Sequence, residues 1–260
     1  MMGNSAKVYV FVNQKGGVGK TTSAINIGAY FAEAGKSVLL VDFDAQANLS
    51  SGVGVQNPKP GVYELISGLA SFPKAVRGTV VPKLSVIPAG IDLSGAAVEL
   101  IDQEERDFFL KRALEEAKES YDYILIDCPP SLGLLTINGL AAADAALIPM
   151  QCEYFAMEGL SHLLKTIRRI KRGPNPPLEI AGIFFTMYDS RTRLAQQVVK
   201  ELSSYFKDKV FATIIPRNVR LSEAPSHGLP ISKYDPHCSG AKAYKSLAAE
   251  VMQETSFPVR

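Results

Sequence analysis

Several features that would indicate a membrane, secreted or disulfide-linked protein are missing from this chain. No apolar run approaches the roughly 18 residues of a membrane-spanning helix, and residues 1–7 lack the apolar core of a signal peptide. The three cysteines, an odd number, share no metal-ligand spacing and do not suggest a disulfide framework. No low-complexity tract, zinc finger or RNA-binding module is present. We therefore expect a soluble, cytoplasmic protein.

The composition predicts a folded domain with a sizeable core. The chain has 260 residues, of which 47% are hydrophobic and 21% are charged. This length is ample for one large α/β domain and short for two. No linker or internal repeat divides the sequence, so we expect a single domain over residues 1–260.

Charge is distributed unevenly along the chain. Residues 1–160 contain 12 basic and 18 acidic residues, whereas residues 161–260 contain 16 basic and 8 acidic residues. A basic carboxy-terminal part favours a polyanionic partner, which is either nucleic acid or a membrane surface. Scattered solvated charge is the alternative interpretation of this count.

Short apolar runs alternate with helical patterns from one end of the chain to the other. Most runs are continuously apolar, which is typical of strands buried on both faces. The pattern predicts an α/β fold: a mostly parallel central sheet of about seven to eight strands with helices on both faces. The predicted strands are residues 8–12, 37–42, 83–88, 123–127, 145–149, 180–185 and 210–215, and the helices after the first are residues 104–119, 136–143, 158–172, 194–206 and 241–254.

A glycine-rich loop follows the first strand and leads into the first helix. It consists of Lys15, Gly16, Gly17, Val18, Gly19, Lys20, Thr21 and Thr22. Glycines let backbone N–H groups surround an anion without interference from Cβ atoms. The N-terminus of the following helix adds unpaired N–H groups and the positive end of its dipole. A strand, a turn and a helix start in this order predict a phosphate-binding loop.

Two lysines in this loop have different expected roles. Lys20 is placed to hold the β- and γ-phosphates of a nucleotide, and the Thr21 hydroxyl to ligate Mg²⁺. Lys15 is the first residue of the loop, and Lys20 already occupies the position from which a loop lysine contacts the nucleotide of its own subunit. We therefore expect Lys15 to reach a nucleotide from outside, across a dimer interface.

Carboxylates follow two of the predicted strands. Asp42 and Asp44 are two residues apart, which places them on one face of an extended chain. Asp44 is the candidate to orient an attacking water and to hold Mg²⁺-bound water. Asp127 ends an apolar strand in the Walker B arrangement and is expected to bind Mg²⁺ through water.

The sequence Lys15 to Thr22 resembles the deviant Walker A loop of the ParA/MinD superfamily of ATPases. Further matches around Asp44, after Asp127 and in residues 151–159 and 215–226 make the chain similar to chromosomal Soj-type ParA proteins, over residues 7–252. The family segment Asp-x-Asp-Pro-Gln has Ala45 in place of its proline. The second aspartate of that segment, here Asp44, is the one that the family links to hydrolysis.

This resemblance implies a P-loop NTPase fold with ATP and Mg²⁺ as ligands. It also implies an ATP-dependent sandwich homodimer that binds double-stranded DNA nonspecifically in chromosome or plasmid partition. Hydrolysis, catalysed with Lys15, Lys20 and Asp44, would release the DNA. A ParB-type centromere-binding protein would stimulate that hydrolysis, and the protein would be associated with the nucleoid.

Two arginine-containing segments, 187–193 and 215–226, leave the same edge of the predicted sheet, so their arginines can converge on one surface. By the resemblance, Pro216 and Asn218 contact adenine, mostly through backbone and the asparagine. Arg191 and Arg220 match family positions that bind the DNA backbone, with Arg193 and Arg217 as candidate helpers. Contacts of this kind confer affinity without sequence choice.

Two alternatives concern related ATPases. MinD-like proteins end in a basic amphipathic segment that lies on a membrane, and other ParA-like ATPases position a membrane-associated or protein cargo. The last helix here carries an apolar stripe but has Glu250 and Glu254 beside only two lysines, so we expect it to pack on the core.

An electron-transfer role is a further alternative. Nitrogenase iron-protein relatives share an iron–sulfur cluster through cysteines, but Cys128 and Cys152 lack that family's flanking sequence and are expected to be buried apolar residues.

Overall fold

A seven-stranded sheet forms the centre of the computed structural model, which describes residues 5–153 and 156–254. Its order is β3-β4-β2-β5-β1-β6-β7, and every neighbouring pair is parallel except β3 with β4. The strands found in these ranges are β1 (Lys7–Phe11), β2 (Val38–Asp42), β3 (Arg77–Gly78), β4 (Leu84–Ile87), β5 (Tyr123–Asp127), β6 (Ala145–Gln151) and β7 (Glu179–Thr186). The predicted α/β class with a mostly parallel sheet is confirmed.

The predicted strand at residues 210–215 is wrong. This segment lies along β7 and makes two ladder-like bonds, from Phe211 N to Ile183 O at 2.9 Å and from Ile215 N to Phe185 O at 2.8 Å. Between these bonds, the Glu250 carboxylate accepts the N–H groups of Ala212 and Thr213, at 2.8 and 3.0 Å. The Thr213 N–H, which a continuous strand would donate to β7, is therefore bonded to a side chain.

Helices cover both faces of the sheet. Those of the described ranges are α1 (Lys20–Glu33), α2 (Asn48–Gly52), α3 (Val62–Ile66), α4 (Phe72–Ala75), α5 (Leu93–Glu99), α6 (Phe109–Ala113), α7 (Glu115–Ser120), α8 (Leu134–Ala142), α9 (Ala156–Lys171), α10 (Arg193–Phe206), α11 (Val219–Glu223), α12 (Ile231–Tyr234) and α13 (Ser239–Glu254). The single helix predicted over residues 104–119 is wrong, because that segment begins with turns and then divides into α6 and α7. The short helices α2 to α5, α11 and α12 were not predicted.

Alternate residues of the central strands face two separate apolar cores. Val8 and Val10 of β1 belong to the core beneath α8 and α9. Tyr9 and Phe11 belong to the core beneath α1 and α13. Helix α1 approaches β2 closely at Gly28, where an added Cβ would lie 2.7 Å from Leu40 Cδ2. This packing fixes the start of α1, and with it the glycine-rich loop, at the carboxyl edge of the sheet.

The last helix packs on the core as predicted. Its apolar stripe is buried against α1, and Tyr244 and Ala241 hydrogen-bond with Ser23 and Tyr30 of that helix, at 3.0 and 2.9 Å. Within the described ranges, every helix is too short or too polar to cross a bilayer. Cys128 is buried as predicted, whereas Cys152 is only half-buried.

Candidate functional site

The loop between β1 and α1 adopts a backbone conformation that requires glycine at two positions. Gly17 and Gly19 have φ values of 71° and 84°, in the left-handed region where a Cβ atom causes strain. The loop is held by neighbouring strands, because Thr186 Oγ1 of β7 donates to Val18 O at 2.8 Å and Gln151 Nε2 of β6 donates to Gly17 O at 2.9 Å. The sequence therefore yields a preformed loop at the carboxyl end of β1.

A cleft of about 520 Å³ lies against this loop. Its predicted members are Gly16, Gly17, Gly19, Lys20, Thr21, Thr22 and Asp44, and sequence reasoning missed Ile25, Gln46, Asn48, Ser51, Pro130, Met187, Pro225 and Ser226. Val18 is buried behind the loop rather than in the cleft. Most of the predicted phosphate site is thus brought to one place.

Lys20 is buried at the base of the cleft. Its ammonium donates to the Lys15 carbonyl at 3.3 Å. Burial lowers the pKa of Lys20, and attraction to Asp127 partly opposes that shift. Among the described residues this long hydrogen bond is the one that the buried ammonium makes, so it is well suited to receive an anion as a further partner.

Thr21 and Asp127, two of the residues predicted to bind Mg²⁺, are in contact. Thr21 Oγ1 donates to Asp127 Oδ2 at 2.6 Å, while Asp127 Oδ1 is buried without a hydrogen-bond partner among the described residues. Burial, and then the charge of Asp42, raise the pKa of Asp127. A divalent cation would stabilise the ionised carboxylate and use the orphaned oxygen.

The oxygen ligands at this site suit Mg²⁺, an ion that is seldom held by protein ligands alone. A hydroxyl and a carboxylate are hard oxygen ligands, and Mg²⁺ is usually bound by one or two carboxylates together with substrate phosphates and waters. In the described part of the chain, no group of three or more His, Cys, Asp or Glu side chains could hold a metal ion. The remaining ligands would therefore come from nucleotide and water.

Asp42 and Asp44 have different surroundings. Asp42 is fully buried beside Asp127 in the strand register and accepts hydrogen bonds from Ser50 N at 2.8 Å and Ser50 Oγ at 2.6 Å. Burial raises the pKa of Asp42 to about 6. Asp44 is half-exposed and lines the cleft, with Oδ1 accepting from Gln46 N at 3.0 Å. Of the two carboxylates, Asp44 is therefore the one that is accessible from the cleft, whereas Asp42 is enclosed by the core; the role of Asp44 in positioning water stays a prediction.

A second cavity of about 480 Å³ adjoins the first, sharing Gly19, Thr22, Met187 and Pro225 with it. Pro216, Arg217 and Asn218 line it. Tyr244 of α13 also lines it, although the sequence predicts for this residue only a place in the apolar stripe of the last helix. The Asn218 amide is already engaged, because Oδ1 accepts from Arg220 N and Nδ2 donates to Ser239 Oγ, both at 2.9 Å. A base in this cavity would therefore have to share or replace the hydrogen bonds of the Asn218 amide.

Lys15 does not line the cleft of its own chain. Its ammonium donates to Gln151 Oε1 at 3.1 Å and forms an ion pair with Glu153. Gln151 is held in turn, since its Nε2 donates to Gly17 O at 2.9 Å. Both residues lie in the segment 151–159 that resembles the family, but the sequence alone predicts no role for Gln151 or Glu153. The loop thus directs one lysine into the cleft and the other away from it.

The two arginine segments meet, as predicted. Tyr188 N donates to Ile215 O and Arg217 N to Tyr188 O, both at 3.0 Å, so their backbones are paired. All four predicted arginines are exposed: Arg191, Arg193, Arg217 and Arg220. Arg191 binds both carboxylate oxygens of Asp189, at 2.8 and 2.6 Å, and holds the pKa of that carboxyl well below its usual range. Arg220 donates to Glu223 at 2.8 Å and lies 3.5 Å from Asp235.

The sheet order, the loop and the Thr21–Asp127 pair together define a P-loop ATPase, and comparison with known proteins supports this class. The family model of an AAA domain matches residues 6–180. The chromosome-partitioning ATPase Soj of Treponema pallidum is 63% identical over 246 residues, covering 95% of this chain and 97% of that protein. The sporulation initiation inhibitor protein Soj of Bacillus subtilis is 53% identical over 247 residues, covering 94% and 98%. The chain belongs to the ParA/Soj family of AAA-domain ATPases.

A solved structure agrees in fold and in ligands. It is described as cobyrinic acid a,c-diamide synthase from Mycobacterium smegmatis with a bound ATP analog and magnesium. The two chains are 36% identical, with a TM-score of 0.85, and the match covers 96% of this chain and 95% of that one. The ligands predicted for this chain, ATP and Mg²⁺, are thus those of a solved relative.

Proposed function

We propose that this ATPase partitions chromosomes or plasmids by forming an ATP-dependent dimer on DNA. The whole of residues 1–260 acts as one domain, in the cytoplasm and on the nucleoid. Two copies pack face to face, each bound to Mg-ATP, and hydrolysis separates them. The observation that carries this proposal is the position of Lys15, which lies beside its own cleft with its ammonium directed elsewhere. The relatives named chromosome-partitioning ATPase support the biological role.

Within one subunit, the cleft residues divide the work of phosphoryl transfer. Loop N–H groups and Lys20 hold the phosphates, while Thr21 and Asp127 hold Mg²⁺, which neutralises developing charge. Asp44 orients the attacking water, and the partner's copy of Lys15 adds a positive charge that the subunit lacks by itself. Such catalysis consists mainly of positioning and electrostatic stabilisation.

The DNA surface of this proposal is built from the paired arginine segments. Arg191 and Arg220 contact phosphates, assisted by Arg193 and Arg217, and the dimer doubles the number of contacts. Each phosphate contact adds about −0.9 to the slope of log affinity against log salt. Dimerisation therefore changes DNA binding from weak to strong at a fixed salt concentration. A ParB-type partner that stimulates hydrolysis completes the cycle.

A membrane-positioning role is the competing proposal. Its sequence signal would be a free amphipathic helix at the end of the chain, but the apolar side of α13 is buried against α1. Peeling this helix from the core would expose Tyr244, Leu247 and Val251 to water. This cost favours DNA over a lipid surface as the polyanionic partner.

Co-sedimentation with a long DNA of arbitrary sequence tests the proposal. With Mg²⁺, the wild-type protein is expected to pellet with DNA in ATP and to stay in solution in ADP. Arg220→Glu should abolish retention. Arg169→Glu, on the exposed side of α9, is the matched control and should retain wild-type binding. Equal retention of Arg220→Glu and wild type would contradict the proposed surface. Nucleotide-dependent binding to anionic vesicles instead of DNA would favour the membrane role.

A further inference from the structure

Lys15, the residue on which the proposed dimer depends, is bound by a carboxylate of its own chain. Glu153 lies just beyond the carboxyl end of β6, next to the loop, and forms an ion pair with the Lys15 ammonium. Both side chains are accessible, with exposed fractions of 48% for Lys15 and 57% for Glu153. The pair is therefore free to exchange with another anion without any rearrangement of the core.

Neighbouring polar groups hold the Lys15 side chain beside Glu153 and away from the cleft. Gln151 Oε1 accepts a second hydrogen bond from the ammonium at 3.1 Å, and Gln151 Nε2 is fixed on the Gly17 carbonyl and on Met187 Sδ, at 2.9 and 2.8 Å. The Lys15 backbone is fixed by Asn13. Only the side chain of Lys15 has to move for its ammonium to leave Glu153.

We propose that Glu153 is a positioning residue that sets how readily two ATP-bound subunits associate. This inference rests on the proposed function, because it takes the partner's triphosphate as the anion that replaces Glu153. In the single subunit, Glu153 satisfies Lys15 and competes with that triphosphate. Glu153 therefore raises the protein concentration at which the dimer forms, so that subunits without a strong competing anion stay apart.

The size of this effect follows from the exposure of the pair. One exposed ion pair changes an equilibrium by up to about fivefold. Each dimer exchanges two such pairs, so removing the carboxylate should lower the dimer dissociation constant by up to roughly 25-fold. High salt screens exposed charges and should reduce the difference.

Sedimentation equilibrium of the full chain with Mg²⁺ and a non-hydrolysable ATP analogue tests this inference. Glu153→Gln keeps the shape of the side chain and removes its charge. We expect its dimer dissociation constant to fall by about 2- to 25-fold relative to wild type. Glu158→Gln is the matched control, because Glu158 is an exposed acid on the same segment with no ion pair to Lys15. It should dimerise like wild type.

A second readout examines Lys15 itself in the nucleotide-free protein. Acetic anhydride labelling followed by mass spectrometry should modify Lys15 faster in Glu153→Gln than in wild type or Glu158→Gln, with the melting temperature unchanged. If the wild-type protein dimerises and Glu153→Gln leaves the dissociation constant unchanged or raises it, the role of Glu153 is overturned and the proposed dimer is not. Absence of any wild-type dimer with the analogue contradicts the proposed function, and the role of Glu153 with it.

Discussion

The Thr21 hydroxyl donates a 2.6 Å hydrogen bond to Asp127 Oδ2, across 106 positions of sequence. Thr21 lies in the first turn of α1 and Asp127 ends β5, which lies beside β1 in the sheet. The second carboxylate oxygen, Oδ1, has no hydrogen-bond partner among the described residues although it is buried. This arrangement is costly for the empty protein and favourable once a cation is present, which makes Asp127 the best place to test the metal site.

Asp127→Asn should remove the Mg²⁺-dependent part of ATP affinity. Asparagine retains the volume and an acceptor for Thr21 but loses the charge that binds the cation. Contacts to charged groups contribute about 1.5–3 kcal/mol, so the loss should be roughly tenfold to a hundredfold. Titration calorimetry with ATP, in Mg²⁺ and in EDTA, measures it.

The same substitution should leave the nucleotide-free protein folded and at least as stable. Burial raises the pKa of Asp127, which means that its ionised form is disfavoured in the folded chain, and a neutral amide avoids that penalty. Asp208→Asn, at an exposed position, is the control and should keep full Mg²⁺ dependence. Unchanged Mg²⁺ dependence in Asp127→Asn would exclude Asp127 from the metal site.

Asp44→Ala should stop ATP hydrolysis while leaving binding intact. Asp44 lines the cleft, and among the described residues the hydrogen bond that its carboxylate accepts comes from Gln46 N of its own turn. Loss of a group that positions the water should lower turnover by about 10²-fold or more. Phosphate release in single-turnover conditions measures this effect. A variant that hydrolyses ATP at the wild-type rate would show that another group positions the water.

Glu223→Gln should strengthen DNA binding by the proposed surface. Glu223 accepts hydrogen bonds from Arg220 at 2.8 Å and from the Tyr234 hydroxyl at 3.1 Å, so it offsets the charge that is proposed to meet a phosphate. Removing two carboxylates per dimer should raise affinity several-fold at low salt, an advantage that fades as salt is added.

Fluorescence anisotropy with a labelled duplex, at several salt concentrations, measures the effect of Glu223→Gln. Glu179→Gln removes an exposed acid at the other end of β7, away from the arginine segments, and should bind like wild type. Weaker DNA binding by Glu223→Gln would mean that the carboxylate orients Arg220 rather than offsetting its charge.

Sequence reasoning located the strands of the sheet well wherever burial on both faces made them continuously apolar. It also located the loop, Thr21, Asp127 and Asp44 at the carboxyl edge of the sheet, because motif spacing along the chain determines where each residue leaves its strand. Their roles stay predictions. It failed at residues 210–215, which are equally apolar, since the Glu250 side chain that takes their N–H groups lies 37 or 38 positions away. Pairing of that kind has no local signal.

The ion pairs of the site were also beyond sequence reasoning. Asp189 is two residues from Arg191 and could have been suspected as its partner. Glu153, in contrast, meets Lys15 only because β6 lies next to β1. The ion pair between Lys15 and Glu153 therefore became visible only in three dimensions.

The molar mass of the ATP-bound protein tests the central claim most directly. Light scattering after gel filtration, in Mg-ATP, should show Asp44→Ala as a dimer of about twice the 28.1 kDa chain mass. The double variant Lys15→Gln, Asp44→Ala should bind ATP with similar affinity and remain a monomer, because its cleft is complete but no lysine is left to reach the partner's nucleotide. A dimer of the double variant, equal in stability to that of Asp44→Ala, would contradict the account.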